Sequence, residues 1–85
     1  MDVRRLCYEA ILEVDDINVI DYESVSDYIK IYREGFGLDS LGLTELIGIL
    51  EEKFGIQLSI EELMEEEAFE NFGNLWKFIA KKVGQ

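Results

Sequence analysis

Residues 35–55 read GFGLDSLGLTELIGILEEKFG and carry the strongest structural signal of the chain. Apolar residues recur there at the three- and four-residue spacing of an amphipathic helix, which is predicted to begin at Ser40 and end at Phe54. Gly55 follows as the expected left-handed C-cap. The apolar stripe consists of Leu43, Leu46, Ile47, Leu50 and Phe54. At about 100° per residue, the opposite face holds Leu41, Glu45, Gly48 and Glu52.

The start of this helix allows two arrangements. Ser40 could be the N-cap, with its hydroxyl accepting a backbone N–H, and local sequence alone favours this arrangement. Alternatively, Asp39 is the cap, which leaves Ser40 at the first helical position with an exposed hydroxyl. The positive end of the helix would then favour an anionic phosphoryl group on the serine. Asp39 could help to hold a metal ion that carries a phosphate donor.

The rest of the chain predicts further helices and no strands. Residues 2–14 and 71–83 have amphipathic spacing, and residues 60–67 form a shorter acidic helix after a capping box of Ser59 and Glu62. Residues 24–34 allow either a short helix capped by Ser24, with Asp27 in the capping-box position, or an ordered loop. The expected fold class is all-α: one domain over residues 1–85, a small bundle of three main helices plus one short helix.

The charge of the chain restricts its partners. Lys and Arg total 8 and Asp and Glu total 19, which gives a net charge of -11. Phosphates and anionic membrane surfaces would be repelled, so no nucleic-acid or membrane partner is expected. A basic patch on another protein is the natural counterpart of such a surface.

Catalytic and metal-binding sets are missing from the sequence. The chain has no histidine and one cysteine, so neither a Ser-His-Asp triad nor a zinc cluster of thiolates and imidazoles can be formed. We therefore expect no resident metal and no self-contained enzyme. Cys7 lies on the apolar stripe of the first helix and suits a reducing compartment. Glu9 and Glu13 interrupt any signal-peptide core, and the expected location is the cytoplasm.

Residues 36–63 resemble the acyl carrier proteins and their relatives. The family core is an Asp-Ser-Leu triplet after a tight turn, followed by an acidic amphipathic helix. Residues 36–38 fill the turn here, and residues 39–41 are the triplet. The pattern continues in register at Glu45, Leu46, Leu50, Glu51, Glu52, Phe54 and Gly55. The spacing of the outer helices agrees, so the resemblance extends over the chain as an acyl-carrier-like bundle.

The resemblance implies a function. Ser40, with Asp39 beside it, would receive a 4′-phosphopantetheine arm from coenzyme A through a separate, magnesium-dependent phosphopantetheinyl transferase. The arm would carry acyl groups as thioesters to acyl-transfer and synthase enzymes of fatty acid, polyketide or related lipid biosynthesis. The protein would act as a monomer. Basic patches on those enzymes would grip a recognition face formed by Leu41, Thr44, Glu45, Gly48 and Glu52.

Three departures from the family pattern keep alternatives open. Gly42 stands where an acidic residue is common, Thr44 where a valine or isoleucine is common, and Gly48 where a bulky apolar residue is common. The glycine after the triplet is similar to D-alanyl carrier proteins, so an aminoacyl or peptidyl cargo on the same arm is one alternative. The other is a bundle that binds a partner and is never modified.

Overall fold

Four α-helices form the frame of residues 1–84. The computed structural model describes residues 1–84. Its elements are α1 (Val3–Leu12), a 3₁₀ turn (Tyr22–Ser24), α2 (Ser40–Phe54), α3 (Ile60–Glu65) and α4 (Phe72–Lys82). Between residues 1 and 84 no strand forms, and a single isolated bridge joins Tyr32 to Leu38. The predicted all-α class with three main helices and one short helix is confirmed.

Each helix begins at a polar side chain that caps it. The capping side chains, which accept a backbone N–H three residues later, are those of Asp2, Asp39, Ser59 and Asn71. Ser59 Oγ accepts from Glu62 N at 3.1 Å, as predicted. A full capping box would also have the Glu62 carboxylate accept a hydrogen bond from Ser59 N. This part of the prediction is wrong, because the Glu62 carboxylate binds Lys82 of α4 at 3.0 Å.

The core lies where α1 packs against α2 and α4. Fully buried side chains come from all four helices and from the segment before α2, namely Cys7, Ile11, Ile31, Phe36, Leu38, Leu46, Leu50, Leu63, Phe72, Leu75 and Ile79. Burial raises the pKa of the Cys7 thiol to about 12, which makes it an inert core residue rather than a nucleophile. Trp76 of α4 is partly buried and packs against this core.

The segment between α1 and α2 is an ordered loop rather than the alternative short helix. Asp27 does not serve a helix start at Ser24, because its Oδ1 accepts hydrogen bonds from Trp76 Nε1 at 2.9 Å and from Arg4 Nε at 3.2 Å. These bonds tie the loop to α1 and α4. Farther along, Phe36 packs between the rings of Tyr8 and Phe72, at centroid distances of 6.4 and 6.0 Å. The loop that leads into α2 is thus fixed to the core.

Added salt is expected to stabilise the fold. The net charge of -11 makes repulsion among surface carboxylates large, and salt screens it. Thermal melts should rise by several degrees between low and physiological ionic strength, since about 1 kcal/mol corresponds to about 4–8 °C in a domain of this size. Magnesium chloride and sodium chloride at equal ionic strength separate cation binding from screening. Unchanged melting temperatures in both salts would show that charge repulsion does not limit stability.

Candidate functional site

The first turn of α2 presents an exposed serine hydroxyl. Asp39 is the N-cap of this helix, and its Oδ1 accepts from Gly42 N at 2.7 Å. Ser40 is therefore the first helical residue and is exposed, so the cap arrangement that local sequence favours is wrong. The carboxylate has taken the capping bond that the hydroxyl would otherwise have made. The Ser40 hydroxyl remains available at the positive end of a helix of 15 residues.

The loop before α2 is closed by backbone hydrogen bonds. Leu38 N donates to Ile31 O at 2.9 Å, and Arg33 N donates to Leu38 O at 2.8 Å. Leu38 and Ile31 are also almost fully buried. This pairing brings residue 32 back alongside the start of α2, although eight positions separate it from Ser40. The loop beside the serine is therefore held by backbone hydrogen bonds and by two buried side chains.

The site also contains Tyr32 and Arg33, which the sequence did not predict as site residues. The Tyr32 hydroxyl lies 3.4 Å from Ser40 Oγ, and the Arg33 guanidinium lies over the Tyr32 ring at 5.0 Å from its centroid. The hydrogen bond with Ser40 and, next, the guanidinium of Arg33 lower the pKa of Tyr32. Both residues lie in a loop, where helical periodicity gives no signal. Their position depends on the loop closure described above.

An apolar groove opens beside Ser40 between α2, α3 and the loop. Its volume is about 790 Å³. The apolar side chains that line it are Leu43, Ile47, Ile60, Leu63, Met64 and Phe69. Ser40 and Thr44 lie on its rim on the α2 side, and an ion pair between Lys30 Nζ and Glu70 at 2.8 Å lies at the side formed by the loop. Leu43 and Ile47, predicted as part of the buried stripe, are only partly buried because they face this groove.

The predicted recognition face of α2 is mostly open to solvent. Leu41 is 75% exposed, and Glu45, Gly48 and Glu52 are exposed on the same side of the helix. A Cβ built at Gly48 would meet nothing within 4 Å, so this position forms a shallow gap between the two acids. Thr44 differs from the other four residues, since it lines the groove and its Oγ1 donates to Ser40 O at 3.2 Å.

Residues 1–84 contain neither a membrane-spanning helix nor a cluster of metal ligands. No helix in this range combines the length and apolar character that crossing a bilayer requires. These residues bring together no group of three histidine, cysteine or acidic side chains that could hold a metal ion.

A small helical bundle with a free hydroxyl at a helix start, next to an apolar groove, has the design of a carrier domain that bears its cargo on a covalent arm. A family model described as a phosphopantetheine attachment site matches residues 7–75, so the chain belongs to this family. It is a phosphopantetheine carrier domain, and the resemblance to the acyl carrier proteins is confirmed at that level. Searches of curated proteins and of solved structures gave no match.

The cofactor of this family is 4′-phosphopantetheine, which the domain bears covalently, and domains of this kind are carriers rather than catalysts. The residues beside α2 fit such a group. Ser40 offers an exposed oxygen at a helix N-terminus, where a phosphate is favoured. The adjoining groove, with a volume of about 790 Å³ and a largely apolar lining, has room for an acyl chain.

Proposed function

We propose that the protein is an acyl carrier protein whose phosphopantetheine arm is attached to Ser40. Its partners would be a phosphopantetheinyl transferase and acyl-transfer and synthase enzymes of fatty acid, polyketide or related lipid biosynthesis. The observation that carries the proposal is the exposed Ser40 hydroxyl at the rim of the apolar groove. When attached, the arm supplies a thiol that can hold an acyl group as a thioester.

The other serines of the chain are poorer attachment points. Ser59 Oγ caps α3, and Ser26 Oγ accepts from Tyr28 N at 3.2 Å. Ser24 ends the 3₁₀ turn and is not among the residues that line the groove. Ser40 alone combines an exposed hydroxyl, the first position of a long helix and the rim of the groove. This comparison supports Ser40 among the 4 candidates.

Ser40 has no base of its own for the attachment reaction. The chain lacks histidine, and the adjacent Asp39 carboxylate is already bonded through Oδ1 to Gly42 N. The proton of the Ser40 hydroxyl must therefore be taken by a base of the transferase. We assign to Asp39 two tasks: it fixes the start of α2, and it offers a carboxylate oxygen to the magnesium ion that the transferase brings.

The groove favours an acyl cargo over an amino acid. Its wall is formed by aliphatic, methionine and phenylalanine side chains, which gain free energy by covering an alkyl chain at about 25 cal/mol per Å² of apolar surface. The charged ammonium of an aminoacyl group would lose hydration against this apolar wall and could pair only with the groove's glutamates, Glu34, Glu67 and Glu70, of which Glu70 is already bound to Lys30. An aminoacyl, peptidyl or D-alanyl carrier using the same arm is the second candidate.

Packing accounts for Gly42, so this glycine does not favour a D-alanyl cargo. This residue is buried, and a Cβ at its position would lie 3.3 Å from Asp39 Oδ1 and 3.3 Å from Val14 Cγ1. Both contacts are tighter than ordinary packing. The glycine is therefore explained by the close approach of α2 to the end of α1, without reference to the cargo.

The proposal is tested by the mass of the protein isolated from its native host. We expect the intact mass to include the arm, and fragmentation to locate it on the peptide that contains Ser40. The group on the thiol should be a fatty or polyketide acyl chain. An amino acid on the thiol would favour the second candidate, and an arm on another residue would contradict the assignment of Ser40.

Charge reversal at Glu45 should weaken docking without weakening the fold. Glu45 is exposed and makes no ion pair within residues 1–84, so Glu45→Lys should change the free energy of unfolding by less than about 0.5 kcal/mol. Association with a transferase that has a basic docking patch should slow several-fold, because opposite charges steer the encounter. Stopped-flow or initial-rate measurements of arm attachment at low and high salt would detect this.

A matched control separates the recognition face from total charge. Glu23→Lys makes the same change in net charge at an exposed residue of the 3₁₀ turn, outside α2. We expect this variant to load at nearly the wild-type rate. Equal slowing in both variants would mean that net charge alone matters, and an unchanged rate for Glu45→Lys would remove this residue from the recognition face.

A further inference from the structure

We propose that Tyr32 and Arg33 form a clamp for the phosphate group of the arm. They act as positioning residues: they hold the first part of the arm at the rim of the groove. This inference rests on the proposed attachment at Ser40 and adds to it two residues that lie outside the family triplet and outside α2.

The Tyr32 hydroxyl is placed to donate a hydrogen bond to a group on Ser40. It lies 3.4 Å from Ser40 Oγ, and both atoms are exposed. In a phosphate ester of Ser40, phosphorus is bonded directly to this Oγ. Its free oxygens are therefore close neighbours of a phenol that now contacts the unmodified hydroxyl. A phenol O–H that donates to a charged oxygen makes a stronger bond than one that donates to a neutral oxygen.

A positively charged side chain near Ser40 would stabilise the attached phosphate. Attachment of the arm adds a negative phosphate to the residue that follows Asp39, and the phosphate and the Asp39 carboxylate repel each other. Of the two basic residues that line the groove, Lys30 is paired with Glu70 at 2.8 Å. Arg33 makes no ion pair within residues 1–84, so its guanidinium can bind the phosphate. The fork of N–H donors on arginine suits phosphate oxygens.

The two side chains are held in place before any phosphate arrives. The Arg33 guanidinium lies over the Tyr32 ring, at 5.0 Å from the ring centroid, so each restricts the other. The Arg33 backbone is pinned by its hydrogen bond to Leu38 O at 2.8 Å, directly before the start of α2. A preorganised pair of donors loses little entropy when it binds an anion. The positive end of α2 contributes to the same anion site.

The experiment compares five loaded proteins by ³¹P NMR: wild type, Tyr32→Phe, Arg33→Gln, Arg33→Lys and the control Tyr28→Phe. Tyr28 is an exposed tyrosine, 85% accessible, whose hydroxyl makes no hydrogen bond within residues 1–84. Each protein is loaded from coenzyme A, and its mass confirms complete attachment. The ³¹P chemical shift and relaxation then report how firmly the phosphate is held, with the same loaded protein in urea as the reference for a free phosphate.

We expect Tyr32→Phe and Arg33→Gln each to lower the ratio of held to free phosphate about fivefold, the size of a partly exposed charge-assisted contact. Their ³¹P shifts should move toward the urea reference, whereas Tyr28→Phe should match wild type. Arg33→Lys, which keeps the charge without the fork, should fall between Arg33→Gln and wild type. Arg33 has a φ of 66°, and glutamine and lysine meet the same backbone cost there, so these substitutions are matched.

The possible outcomes distinguish failure of the proposed clamp from failure of the proposed attachment at Ser40. Complete loading with identical ³¹P shifts and relaxation in wild type, Tyr32→Phe and Arg33→Gln would overturn the clamp and leave the carrier function intact. Failure of wild type to load would overturn both. If Arg33→Gln lost its helical circular dichroism, Tyr32→Phe, which keeps the ring and removes one exposed oxygen, would decide the question alone.

Discussion

Ser40→Ala is expected to abolish attachment of the phosphopantetheine arm while the helical fold remains. The substitution removes the exposed hydroxyl of the first residue of α2. Of the other hydroxyls at the groove, Thr44 Oγ1 donates to Ser40 O, and that of Tyr32 is a phenol in the preceding loop. The measurement is intact mass after incubation with coenzyme A, magnesium and a broad-specificity phosphopantetheinyl transferase. Wild type should gain the mass of the arm completely, and the variant should gain none.

Stability should hardly change in this variant. Ser40 does not cap α2, because Asp39 does, and alanine is a better helix former than serine. The substitution also removes the hydroxyl that Tyr32 approaches at 3.4 Å, but this interaction is exposed to solvent and therefore weak. We therefore expect a change in unfolding free energy of less than about 0.5 kcal/mol by urea denaturation.

Ser59→Ala is the matched control, and we expect it to lose stability but to keep arm attachment. Ser59 caps α3 through a bond to Glu62 N, so its loss should cost about 1 kcal/mol. Loading of this variant should nevertheless be complete, because Ser59 is not part of the groove. A mass increase in Ser40→Ala would contradict the assignment of Ser40. No mass increase in wild type and in Ser59→Ala would contradict the carrier function proposed for this chain.

The sequence predicts α2 better than any other element, for a physical reason. Its bounds, Ser40–Phe54, agree with the prediction because the helix is long, strongly periodic and stopped by Gly55, whose φ is 65°. The outer helices end one or two residues inside their predicted limits: α1 stops at Leu12 rather than residue 14, and α4 at Lys82 rather than residue 83. Apolar residues beyond a helix end, such as Val14, are buried without being helical, and periodicity alone cannot detect this.

The parts of the site that the sequence does not predict depend on contacts between distant residues. Asp27 and Trp76 are 49 positions apart, and their hydrogen bond helps to hold the loop that local pattern describes as either helix or loop. Tyr32 reaches Ser40 only because this loop closes on itself. Ser40 stands out in the sequence as the proposed attachment residue because the helix signal and the triplet coincide in one short stretch. The groove requires three elements to be placed together, which no single stretch of sequence specifies.

Gly35→Ala is expected to destabilise the protein strongly and to disturb the site with it. Gly35 has a φ of 64°, which costs a residue with a Cβ about 1–2 kcal/mol. A Cβ there would overlap the backbone carbonyl oxygen of Lys30 and lie 2.9 Å from Lys30 N. Backbone atoms cannot move aside as a flexible side chain can, so the loop must open, at a further cost of about 1–3 kcal/mol.

The total loss of about 2–5 kcal/mol is a large part of the whole stability of a small domain. Urea denaturation followed by circular dichroism should show a midpoint far below that of wild type. The melting temperature should fall by about 8 °C or more, at about 4–8 °C per kcal/mol. Because Gly35 lies between Arg33 and Phe36, the variant should also lose the fixed position of Tyr32 beside Ser40.

Gly55→Ala is a control that measures the stability cost of a positive φ without the steric overlap expected at Gly35. Gly55 has nearly the same φ, 65°, but a Cβ there would meet nothing within 4 Å. Its replacement should therefore cost only the conformational part, about 1–2 kcal/mol, and should leave arm attachment at Ser40 unchanged. Equal losses of stability in the two variants would mean that the loop around residue 35 opens without cost. Tyr32 and Arg33 would then not be held beside the serine in advance, and the site would have to form its phosphate contacts only when the arm is attached.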